Sequence, residues 1–161
     1  MGGKISTLAL SVILVSSLIF LSAHTDENGF QGEASEYILD EEDITDGWDI
    51  SKEGEKGLDR ENVESGSVLE LEKDGNSLTI VVIIFDTTRS ADDFASQQRN
   101  THKSYTIFSE GDLGDSSFWH SASSETYFDV RIANAYIQVY GSVQLRLLRE
   151  YAERQVRKIK G

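Results

Sequence analysis

The chain has 161 residues, with 28 acidic and 15 basic side chains and a formal net charge of −13. It contains no cysteine and no proline. These counts exclude a disulfide scaffold, thiolate metal sites, a cysteine nucleophile and a lipidated cysteine anchor. The negative field also argues against nucleic acid as a main partner.

Met1 to Lys4 is a short head with one positive charge, and Ile5 to Ala23 then carries no charged residue. This is the charged head and apolar run of an export signal. The run is also close to the roughly 20 residues that cross a bilayer. Leu21 stands where a cleavage site prefers a small residue, so residues 1–23 read as either a signal peptide or a retained membrane anchor helix. Lys4 precedes the run, and Asp26 and Glu27 follow it. That asymmetry places the rest outside the cytoplasmic membrane, secreted or tethered by one N-terminal span. Residues 24–35 read as a polar tether, and residues 36–161 as a single domain large enough to bury its own core.

The acidity is regional. Residues 26–64 hold 15 acids against three bases, whereas residues 141–161 hold six bases against two acids.

Along the folded part, Glu36 to Thr45 reads as a short helix or helical turn, and Gly47 to Ser51 as a short strand. Residues 52–63 read as a solvated loop. Ser65 to Lys73 and Ser77 to Asp86 flank the turn Asp74-Gly75-Asn76 and make a hairpin. The apolar run at 80–84 marks a central strand covered on both faces. Ser90, with an acid three residues on, reads as the cap of a helix from Ala91 to about His102 or Tyr105. Ser116 to Ala122 reads as a strand. Thr126 to Ile132 and Ala135 to Tyr140 form a second hairpin about Ala133-Asn134. Val143 to about Ile159 is an amphipathic helix, with Leu147, Leu148, Tyr151, Ala152, Gln155, Val156 and Ile159 on one face. Strands, helix, strands, helix predict an α+β fold: an antiparallel sheet with helices packed on it as a two-layer sandwich.

Three groups bear on chemistry. The run Asp40 to Gly47 suggests a calcium loop, but Ile44 stands at a ligand position of the EF-hand pattern. Asp112, Asp115 and His120 are near enough in sequence to suggest a metal-dependent hydrolytic site, although Asp112-Leu113-Gly114-Asp115 also reads as a plain turn. No HExxH, nucleophile elbow, P-loop or dinucleotide fingerprint occurs. No cofactor and no catalytic residue is therefore expected. Trp48, Trp119, Tyr127, Arg131, Tyr136 and Tyr140 are the candidate ligand-binding residues. The second hairpin's outward face is the better surface, with the terminal helix covering the face of Phe128, Val130, Ile132, Ile137 and Val139. Register decides this, and sequence does not fix register.

Ile38-Leu39, Asp43-Ile44 and Gly47-Trp48 together resemble the opening of small extracytoplasmic α+β domains. These occur in prokaryotic envelope lipoproteins and as sensor domains of receptor kinases. Asp112-Leu113-Gly114-Asp115 with Phe118 resembles their mid-domain turn, and a strand followed by a helix with Ala152 and Arg157 resembles their ending. The resemblance implies an α+β sandwich of the photosystem P-subunit type, mostly non-enzymatic. This chain departs from such lipoproteins in having no lipidated cysteine.

The expected function is a non-enzymatic exported envelope domain that binds a protein partner or small ligand on its sheet face. The membrane is a further partner if residues 5–23 are retained. The alternative is a metal-dependent hydrolase built on Asp112, Asp115 and His120.

Overall fold

A computed structural model of the chain describes residues 29–161 except 46, 58 and 106. The signal or anchor reading and the first part of the tether fall on residues 1–28, outside the described residues. No helix among the described residues is long and apolar enough to cross a membrane.

Seven strands form one sheet: β1 (Asp49–Glu55), β2 (Val63–Lys73), β3 (Asn76–Phe85), β4 (Ile107–Glu110), β5 (Ser116–Ala122), β6 (Glu125–Ile132) and β7 (Ala135–Gly141). Their order across the sheet is β1-β2-β3-β7-β6-β5-β4, and every neighbouring pair is antiparallel. The chain lays down β1 to β3 as a meander. Helix α1 (Thr88–His102) then carries it to the far edge. It returns through β4, β5 and β6, so that β7 pairs with β3 in the middle.

Side-chain alternation splits the sheet into two cores. Leu78, Ile80, Val82 and Ile84 of β3 join Phe128, Val130, Ile137 and Val139 under helix α2 (Leu145–Lys160). Val81, Ile83 and Phe85 join Val68 and Tyr136 under Ala91 and Ala95 of α1. β3 is therefore buried on both sides, as its unbroken apolar run implies. The α+β class and the antiparallel sheet with helices packed on it are as the sequence implies. The helices take opposite faces, however, so the layers number three.

Local chemistry departs from the sequence reading at three places. Glu36 to Thr45 is not a helix: a 3-10 turn covers Ala34–Glu36, and further turns follow. The reason is Asp40, whose carboxylate accepts from the amides of Glu42 and Asp43 and offers the backbone a turn in place of a helix. The cap of α1 is Thr87, whose hydroxyl accepts from the amide of Ser90, so the helix begins at Thr88. Residues 52–55 extend β1 instead of forming a loop, because Lys52, Glu53, Gly54 and Glu55 pair with β2.

The N-terminal described segment lies against the fold. Ala34 is buried, and its amide donates to Ser65. Gln155 of α2, wholly buried, accepts from the amide of Leu39 and donates to the carbonyl of Tyr37. Lys158 holds both Asp40 and Asp43 at 2.7 Å. Part of the acidic region is thus clasped to the basic helix.

Candidate functional site

Two places combine polar groups with apolar walls: a cleft at one end of the sheet and a buried row of titratable groups beneath α1.

The cleft is about 560 Å³ and opens where the β2–β3 turn meets the start of α2. Trp48, Val143 and Leu147 supply apolar wall, and Lys73, Asn76, Arg146 and Glu150 supply polar groups. Trp48 is 9% exposed and stands edge-on to Tyr151, with ring centroids 6.4 Å apart. Glu150 is already neutralised by Arg154 at 2.6 Å. Lys73 and Arg146 are the cations of the hollow, and Lys73 is itself engaged within the protein. Its position follows from the strands. Lys73 ends β2, Asn76 begins β3, and Ser142 follows the last residue of β7.

The first described residues enter at the opposite end. The side chain of Asn134, in the β6–β7 turn, accepts from the amide of Phe30 and donates to its carbonyl and to that of Phe85. Asn76 and Phe85 are the two ends of β3, about 30 Å apart at roughly 3.4 Å per residue. The cleft therefore stands at the end of the sheet remote from where the chain enters.

The buried row runs across β5, β6 and β7. Asp129 is wholly buried and accepts from the hydroxyl of Tyr136 at 2.5 Å and the amide of Gln138 at 2.8 Å. Burial pushes its carboxyl up to about 6, against the pull of those two donors. Oδ2 of Asp129 lies 3.6 Å from Nδ1 of His120, which is 1% exposed. His120 sits in a column of parallel rings. His102 stacks on it at 3.9 Å, Tyr127 at 4.8 Å on its other side, and Tyr140 on Tyr127 at 5.1 Å. Burial first, and the neighbouring His102 second, push His120 down to about 4. Burial also lowers His102. Tyr127 donates to Glu125, and that bond raises its phenol to about 12.

The residues read as one recognition surface do not form one. Trp48 and Trp119 pack on the α2 side. Tyr127, Arg131, Tyr136 and Tyr140 face the α1 side, as the alternation implies, but α1 lies across that face. Tyr136 is 1% exposed beneath Phe94, whose ring meets it edge-on at 4.8 Å. Arg131 is engaged by Asp92 at 3.2 Å and Asp115 at 3.1 Å. Of the six residues, Trp48 lines the cleft, Tyr136 lies in the buried row, and the half-buried Tyr127 and Tyr140 extend its ring stack. Gln138 lies on the hairpin face expected for recognition, whereas His102 and Asp129 are not among the expected site residues. The alternation already places Asp129 beside Tyr136 and Gln138, and a fixed hairpin register would have paired Asp129 with Gln138.

The hydrolase triad does not assemble. Asp112 pairs with Arg149 at 2.9 Å, and Asp115 takes the amide of Ala133 at 2.7 Å, while His120 is enclosed under α1. Gly114 adopts a φ of +68°, and a Cβ there would meet the carbonyl oxygen of Arg131 at 2.6 Å. The motif is a tight turn fastened to the next hairpin. Among the described residues no group of three or more His, Asp or Glu is placed to hold a metal ion. In the acidic run, Asp40 and Asp43 are correspondingly spent on turn amides and on Lys158.

No protein-family model matches the chain, and no curated protein matches it. Among solved structures it is similar to the extracellular domain of PknH from Mycobacterium tuberculosis, with a TM-score of 0.57 and 9% identity over 79% of this chain and 94% of that one. It is also similar to a GTP-binding regulator from Thermotoga maritima, with a TM-score of 0.52 and 15% identity over 73% of this chain and 81% of that one. At such identities the likeness is one of fold.

Proposed function

We propose that this chain is a non-catalytic extracytoplasmic binding domain that takes a small ligand in the cleft between the β2–β3 turn and the start of α2. The observation that carries the reading is the cleft's placement. It opens at the end of the sheet remote from Phe30, where residues 1–28 join the fold. An apolar segment at residues 5–23 holding the domain to a membrane leaves that end free to solvent. The fold shared with an extracellular domain supports the same reading. The lining favours a ligand with an anionic head for Arg146 and an apolar body for Val143, Leu147 and the edge of Trp48.

The test is a nuclear magnetic resonance screen of the full chain in nanodiscs, using aromatic carboxylates as probes. The reading predicts that binders shift Trp48, Asn76 and residues 142–147, and that Arg146→Glu removes the shifts. Binders that map elsewhere, or conversion of the probes to product, overturn it.

A further inference from the structure

We propose that His102, His120 and Asp129 form a proton-binding site, and that loading it in acid releases the C-terminal end of α1 from the sheet. The protein would thereby sense acid, independently of any ligand in the cleft.

The geometry is that of a site short of protons. His102 is the last residue of α1, and its ring lies flat on that of His120, centroids 3.9 Å apart and planes within 10°. Tyr105 closes the stack, tilted steeply against both rings at 4.9 and 5.2 Å. Asp129 lies beneath, on β6. Nδ1 of His102, Nδ1 of His120 and Oδ2 of Asp129 are buried, and none has a hydrogen-bond partner in the protein. Oδ2 of Asp129 and Nδ1 of His120 face each other at 3.6 Å, so a proton taken up there has an acceptor on either side. Further protons place cations in a parallel stack that burial keeps neutral.

No other charge near the stack offsets them freely. On α1, Arg99 is paired with Glu110 of β4 at 2.9 Å, and Lys103 follows the helix as a further cation. β5 presents only His120 itself. On β6, Glu125 accepts from Tyr127, and Arg131 is engaged by Asp92 and Asp115. β7 presents Tyr136, which donates to Asp129, and Tyr140, which stacks on Tyr127.

Why the helix end yields is a matter of where α1 is anchored. Its buried residues are Ala91 and Ala95, and Phe94 packs beside them, all in the first two turns. The last turn is held by the ring stack and the Arg99–Glu110 pair. Lifting it uncovers both histidines without opening either apolar core.

The direction follows from proton uptake. Both histidines sit below their ordinary value of 6.5 when closed, so the open state binds more protons there as pH falls through 6.5 toward 4. Asp129 acts oppositely, since its closed value of about 6 lies above the ordinary 3.8. His120 and Asp129 therefore largely offset each other, and the net uptake on opening, less than one proton, falls to His102, whose ring the sheet desolvates.

The test is hydrogen exchange of residues 96–105 in the full chain from about pH 7.5 to about pH 4.5, corrected for intrinsic rate, with α2 as internal reference. Protection of 96–105 is expected to fall steadily with pH below about 6.5, by less than tenfold per pH unit, while α2 holds. His102→Phe keeps a flat ring and removes a titrating group, and should reduce the slope. His120→Phe should do the same from the buried side. A flat wild-type profile overturns the proposal, as does an unchanged slope in His102→Phe, whose half-buried position tolerates the exchange even if His120→Phe fails to fold.

Discussion

Asn134 brackets Phe30. Its Oδ1 accepts from the Phe30 amide at 2.6 Å, and its Nδ2 donates to the Phe30 carbonyl at 2.9 Å. The same Nδ2 donates to Phe85 at 2.7 Å, at the end of β3. One buried amide thus joins the incoming chain, a central strand and the β6–β7 turn. Only residues 24–29 separate this clamp from the apolar run ending at Ala23.

Asn134→Ala leaves the Phe85 carbonyl without this donor and frees Phe30. The expected cost is about 1–3 kcal/mol in stability, read by denaturant unfolding. Limited proteolysis should show new cleavage near residues 29–33 at a rate the parent does not reach.

Ala133, beside it, adopts a φ of +48°, a left-handed conformation that its Cβ disfavours. Asp115 holds it there through the Ala133 amide, and Arg131 donates to its carbonyl. Ala133→Gly is expected to stabilise by about 1 kcal/mol, raising the denaturant midpoint with an unchanged slope.

Asp115 carries a second expectation. It serves the turn, through the Ala133 amide and Arg131. Asp115→Ala should cost about 1–3 kcal/mol. Metal content by elemental analysis should be the same in parent and variant, because this carboxylate is engaged by the Ala133 amide and Arg131.

Asp129 gives a pH signature in overall stability. Its folded value of about 6 exceeds the ordinary 3.8, so ionising it weakens the fold as pH rises through 6. Asp129→Asn keeps the acceptor for Tyr136 and Gln138 and offers a donor toward His120. It is expected to stabilise by about 1–3 kcal/mol near pH 8, a gain that shrinks toward zero near pH 4. Thermal unfolding across that range reads both ends.

Much of this architecture was legible because local pattern and fold agree. Leu78 to Phe85 has no polar break beyond Thr79, and a strand buried on both faces needs none. Asp74 and Gly75 both take positive φ, as the hairpin turn demands. Leu148, Tyr151, Ala152, Gln155, Val156 and Ile159 are the buried stripe of α2, and Gln155 belongs there because the backbone at 37–39 needs its amide. Strand β4 was not legible: four residues at an edge, with Ile107 48% exposed, carry almost no period. The site was less legible still. Trp48 was found, but the cleft forms only when the β2–β3 turn meets the start of α2, more than 65 residues later. Tyr136 read as outward because the path of α1, which buries it, depends on a long crossover from β3 to β4. His102 and His120 stand 18 positions apart, and nothing local brings their rings together.

The most direct measurement uses the absence of cysteine. Ser142→Cys places one thiol at the exposed rim of the cleft, in a chain with no other. Intact cells are treated with a membrane-impermeant maleimide, with and without prior permeabilisation. The account predicts full labelling before permeabilisation, with the cleft outside the membrane and facing away from it. Labelling only after permeabilisation would contradict it.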